Sequence, residues 1–150
     1  MRSSRLGSLV LAASAVSGGF VVLAPAHADP AEDCAVVNGY FGQIVGYQRD
    51  LGAGGAPNQD DPDSAKGFYS AAIEAANQEL QDARGALGQL KDPSVRQKFS
   101  AYIAVLGQFP GLFAQRKAAK SDAQLDAVNA RGADLQGRLG EAEGDVRGVC

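Results

Sequence analysis

A chain of 150 residues with a formal net charge of −3 is long enough for one domain with a sizeable core and too short for two ordinary ones. The acidic balance argues against nucleic acid as a partner, since that would need a basic surface. The one histidine, His27, falls in a segment that reads as removable; without it there is no Ser-His or Cys-His pair and no imidazole for zinc, copper or haem, which excludes most common enzyme mechanisms and leaves no metal or cofactor to expect.

Residues 1–28 read as an export signal. Arg2 and Arg5 precede an uncharged apolar run from Leu6 to Leu23, and Ala26-His27-Ala28 supplies an A-x-A cleavage site. Lipid attachment at Cys34 is disfavoured, because Glu32 and Asp33 stand where small or aliphatic residues are required. Gly7, Gly18, Gly19 and Pro25 weaken the run as a membrane anchor. The expected organisation is a signal peptide, 1–28, and a helical bundle domain, 29–150. That domain would be secreted or extracytoplasmic, with no membrane span after cleavage. It carries 12 basic against 17 acidic residues.

Four helices follow from apolar periodicity. Cys34, Val37, Phe41, Ile44, Gln48 and Leu51 form the first stripe, ended by GAGGAPNQDDPD. That loop groups Asp60, Asp61 and Asp63 but lacks the D-x-D-x-D-G spacing and distal Glu of a calcium loop; it reads as a solvated loop ending in a helix cap. Tyr69, Ile73, Ala76, Leu80, Ala83, Leu87 and Leu90 recur in steps of four and three, with Asp63 or Ser64 as the cap. The third stripe is Val95, Phe99, Tyr102, Leu106, Phe109 and Phe113, opened by Asp92-Pro93 and running to about Ala119. Pro110 cannot donate to the carbonyl of Leu106, so a kink or break is expected within GQFPGLF. The fourth is Leu125, Val128, Gly132, Leu135, Leu139, Ala142, Val146 and Val149, opened by Ser121 with Gln124 three residues on, a capping-box pattern.

Short joints force antiparallel neighbours, so the fold class is all-α, an up-down-up-down four-helix bundle. In that topology the first helix starts where the fourth finishes, which brings Cys34 and Cys150 to one pole. An even cysteine count after export favours a disulfide between them, closing the bundle from its N-terminal to its C-terminal end. The glycines test the register: Gly39, Gly42, Gly46, Gly85, Gly88, Gly107, Gly111, Gly137, Gly140 and Gly144 fall at outward positions, and Gly132 alone sits on a stripe.

Two candidate sites stand out. Phe109, Leu112 and Phe113 cluster at the expected break, and with Phe41, Tyr69, Phe99 and Tyr102 they either line an apolar pocket between helices or pack as core around a kink. Arg116, Lys117 and Lys120 form a basic patch at the end of the third helix, where they complement the helix dipole or contact anionic envelope material. Glu141, Glu143 and Asp145 point in different directions along one helix, and Glu143 with Arg147 is an ordinary i,i+4 pair; no catalytic residue is assigned.

The Ala-x-Ala junction followed by Asp29-Pro30, the early Cys34, the late Cys150 and the Ala/Gly-rich helical body resemble the small exported two-cysteine proteins of mycobacteria and related actinomycetes. Among these, the haemophore-related family shares the signal, the early cysteine and the all-helical body. That resemblance implies haem capture. The family uses His together with Tyr around haem, whereas only Tyr40, Tyr47, Tyr69 and Tyr102 stand here, so no residue carries over. The functional expectation is a non-enzymatic binding or interaction protein of the cell envelope or medium, its partner an unknown envelope protein. The alternative is a carrier of a small apolar ligand, haem included, in the bundle interior.

Overall fold

The computed structural model describes residues 29–53 and 62–150. The expected signal segment with its cleavage site, Asp60 and Asp61 of the loop, and the side chains of Gln48 and Leu51 on the first stripe lie outside the described residues.

Each helix begins for a local reason. Asp29 Oδ1 accepts the backbone N–H of Ala31 at 2.9 Å, and Pro30, which has no N–H to leave unpaired, opens α1 (Pro30–Ala53). Helix α2 (Pro62–Gln89) likewise opens on a proline, so Asp63 and Ser64 lie inside its first turn rather than ahead of it. Asp92 caps α3 (Pro93–Leu106), its Oδ1 accepting from the N–H groups of Ser94 and Val95, both at 2.9 Å. Ser121 caps α5 (Asp122–Val149) by accepting from Gln124 N–H at 3.3 Å. The Gln124 amide oxygen returns to the N–H of Lys120, at 2.8 Å, one residue before the position a capping box would use.

The third arm is broken where the proline requires it. Pro110 leaves the Leu106 carbonyl without its i+4 donor, and α3 ends at Leu106. Gly107 and Gln108 form a turn, donating to the carbonyls of Ile103 and Val105 at 2.9 and 3.0 Å, and α4 (Phe109–Ala118) restarts with Pro110 in its first turn. The described residues thus form four helical arms, the third in two segments, and no strand.

Cross-links between arms fix their directions. Tyr47 donates to Asp82 at 2.6 Å and Lys91 Nζ meets Glu32 at 3.4 Å, so α1 and α2 are antiparallel. Arg96 donates to the Leu90 carbonyl at the end of α2 (3.0 Å) and Lys117 to Ser70 near its start (2.7 Å), so the broken arm runs back along α2. Lys98 pairs with Asp145 at 2.7 Å and Arg131 donates to Gln115 at 2.6 Å, which reverses α5 again. Cys34 and Cys150 meet in a disulfide with their Cα atoms 5.3 Å apart.

The stripes face inward. Val37, Phe41, Ile44, Ala76, Leu80, Ala83, Leu90, Val95, Phe99, Tyr102, Leu106, Phe109, Val128, Leu135 and Val146 are buried. A Cβ added at Gly39, Gly42, Gly46, Gly85, Gly88, Gly111, Gly137, Gly140 or Gly144 would touch nothing within 4 Å, whereas at Gly132 it would meet Leu112 at 3.4 Å. The register read from the glycines therefore holds. Gly107, in the turn after α3, is exposed as well, and the only side chain a Cβ there would reach is Leu80, at an ordinary 3.9 Å.

Candidate binding clefts along the fourth and fifth helices

The seven aromatic and aliphatic residues expected around a pocket separate into three groups. Phe41, Phe99 and Tyr102 pack with Tyr40 as an aromatic core contributed by α1 and α3. Tyr40 meets Phe99 edge-on at 5.3 Å, Phe41 meets Tyr102 at 5.4 Å, and Phe99 stacks on Tyr102 at 5.8 Å. Phe99 and Tyr102 are 0% and 2% exposed, which leaves this part of the interior filled.

Phe109, Leu112 and Phe113 instead line an open cleft of about 280 Å³ between α4 and α5, whose opposite wall is Val128, Gly132 and Gln136. Gly132 allows the close approach of Leu112 noted above, the one place where a stripe glycine shapes a contact. Tyr69 belongs to a second, larger cleft of about 550 Å³, formed by the start of α2, the end of α4 and the start of α5. Arg116 and Asn129 line both, so the two clefts adjoin along the α4–α5 seam.

The basic patch divides in a similar way. Arg116 and Lys117 line the larger cleft. Arg116 Nε donates to the Tyr69 hydroxyl, with the guanidinium 5.4 Å from the Tyr69 ring centre, and Lys117 Nζ donates to Ser70. These bonds tie the end of α4 to the start of α2. Lys120 lies in the joint between α4 and α5, is exposed, and contributes its backbone N–H to the α5 cap.

Three polar features escape the periodic reading. Asp33, 2% exposed, accepts the backbone N–H groups of Lys91 and Asp92 on one oxygen, at 2.7 and 2.6 Å. The Tyr40 hydroxyl is buried and makes no hydrogen bond of good geometry, although Tyr102 and Glu79 lie close enough to act on it. Burial pushes the hydroxyls of both tyrosines well above the usual tyrosine range. It also raises the Glu79 carboxyl, against a partial lowering by the Tyr102 and Tyr40 hydroxyls. Adjacent positions 33/34 and 40/41 both face the interior, because a core-facing stripe is wide enough to take two neighbours per turn.

No group of three or more metal-ligating side chains forms among the described residues. Comparison of the chain with protein-family models, curated proteins and solved structures gives no match.

Proposed function

We propose that this is an exported, non-enzymatic binding protein that takes its partner on the α4–α5 face. The observation that carries this reading is the contrast between a filled aromatic interior and two adjoining open clefts that share Arg116 and Asn129. A carrier holding an apolar ligand or haem inside the bundle would need room where Phe99 and Tyr102 now stack. A non-enzymatic role is supported by the absence of histidine from residues 29–150. Export is supported by the Arg2 to Ala28 pattern and agrees with the Cys34–Cys150 disulfide. Among the described residues no helix is long and apolar enough to cross a membrane.

The test is native mass spectrometry of protein purified from its own secretion host, comparing the natural chain with Asn129→Trp, which fills the shared seam, and Phe99→Leu, which loosens the interior. Loss of a bound partner in Asn129→Trp alone is the expected result. A small molecule retained by the natural chain and lost only in Phe99→Leu would replace this reading with the interior carrier.

A further inference from the structure

We infer that the larger cleft accepts a small molecule with one anionic and one cationic end on an apolar body, the class of a short peptide with free termini. This rests on the α4–α5 face being the binding face. Arg116 and Lys117 stand on the α4 wall and Asp122 and Asp126 on the α5 wall. None of the four belongs to an ion pair among the described residues. Opposite charges on helices joined by so short a connection would be expected to close on each other. They are kept apart because Arg116 and Lys117 are held against α2, by Tyr69 and Ser70. Arg116 uses only Nε for this bond, which leaves its two terminal nitrogens to donate to a carboxylate in the cleft.

Helix dipoles explain part of the pattern, since Arg116 and Lys117 occupy the last turn of α4 and Asp122 the first turn of α5. They do not explain Asp126, which lies one turn further on, beyond the range of the terminal effect. Between the charged walls lie Leu125, Ala65, Ala119 and the Tyr69 ring, with Asn129 as a neutral polar neighbour; Lys66, on the α2 side, already pairs with Asp63 at 3.5 Å. A simple anion would face Asp122 and Asp126 unpaired, and a metal ion would face Arg116 and Lys117. A molecule with both charges and an apolar middle satisfies both walls. The volume of about 550 Å³ lies inside the range of roughly 300–1,000 Å³ usual for small-molecule sites.

The experiment is calorimetric titration of the exported chain, at pH 7, with the dipeptide Leu-Leu, with N-acetyl-Leu-Leu, which lacks the cationic end, and with Leu-Leu amide, which lacks the anionic end. Leu-Leu should bind, and each capped form should bind about tenfold more weakly, as loss of one charge-assisted contact implies. Asp126→Asn should weaken Leu-Leu toward the level of its acetylated form while leaving the acetylated form unchanged, and Lys117→Gln should weaken it toward the level of the amide while leaving the amide unchanged, Asp122 and Arg116 remaining in place. Both residues are exposed, and far-ultraviolet circular dichroism checks that the variants fold. Absence of Leu-Leu binding, equal binding of the three peptides, or losses in the variants that ignore which end is capped would each overturn the inference. If Leu-Leu fails while Asn129→Trp still abolishes partner capture, the ligand class falls and the binding face stands; charge-dependent Leu-Leu binding with capture unaffected by Asn129→Trp supports the ligand class and overturns the face.

Discussion

At the scale of single residues, the buried Asp33 and the half-buried Glu79 do opposite things. Asp33 has both backbone N–H groups of the α2–α3 turn on one oxygen, so its charge is compensated by donors that have no other partner in the fold. Asp33→Ala removes the acceptor and leaves two amides unpaired, which should cost about 2 kcal/mol in urea melts; a loss below about 0.5 kcal/mol would show that water replaces the carboxylate freely. Glu79 lies instead beside two tyrosine hydroxyls in a setting that disfavours its charge. Its folded-state value lies above the ordinary 4.5, so the folded chain holds the proton more tightly than the unfolded one does. The stability it contributes is fully present below that ordinary value and is lost as pH rises through the raised one. Glu79→Gln, which mimics the protonated form, should therefore be more stable than the natural chain at pH 7 and level with it near pH 4. Denaturant melts at the two pH values check this, and an equal difference at both would remove the linkage.

At the scale of elements, helix starts and registers were readable because they depend on neighbours in sequence. Asp-Pro occurs at 29–30, 61–62 and 92–93, and α1, α2 and α3 each begin on the proline. Only the third of these is an obvious helix start by periodicity alone, since the other two precede their first stripe residue by several positions. The outward glycines give a direct stability test. Gly137 and Gly140 lie inside α5 with open space where a Cβ would go, while Gly107 lies in the turn after α3, where helix-interior propensity does not apply. Gly137→Ala and Gly140→Ala should each gain up to about 1 kcal/mol and raise the melting temperature; Gly107→Ala should gain little or nothing. Equal gains at all three would mean that the α3–α4 break does not constrain position 107. The parts that were not readable depend on tertiary partners. Burial of Asp33 is set by a turn 58 residues away, and the separation of Tyr69 from Phe109 and Phe113 depends on which residues of α2, α4 and α5 face one another beyond the Pro110 break. Periodicity says which face a residue is on. It does not say whether the facing helix closes over it, so Phe109, Leu112 and Phe113 could be grouped beside the break as pocket or core, while the α5 residues that wall the clefts were not found.

At the scale of the whole molecule, the first turn of α1 is where the bundle is fastened. Cys34 bonds to Cys150 beyond the end of α5, and the neighbouring Asp33 holds the α2–α3 turn. Along the rest of its length α1 packs chiefly on α2 and less on α3, with Arg147 over the Phe41 ring at 4.7 Å as a contact to α5. The disulfide spans 116 residues of sequence, and a loop of that order restricts the unfolded chain by up to about 4.7 kcal/mol. Its loss in a Cys34→Ser, Cys150→Ser double variant should lower the melting temperature while the helical signal persists at low temperature, because the interior contacts of Phe99, Tyr102 and Leu135 do not involve the bond. The effect should also be unevenly distributed. With its covalent tether to α5 gone, α1 keeps its packing on α2 and α3, the single Arg147–Phe41 contact to α5 and the Asp33 clamp, whereas α2, α4 and α5 keep one another. Hydrogen exchange followed by mass spectrometry on the double variant should therefore show amides of α1 losing protection first, before those of α3 and the second half of α5. Adding Asp33→Ala to the double variant should widen that difference, since the two anchors sit on adjacent residues and act on the same turn. Uniform loss of protection across all the helices would show instead that the bundle opens as one unit and that the pole is not its fastening point.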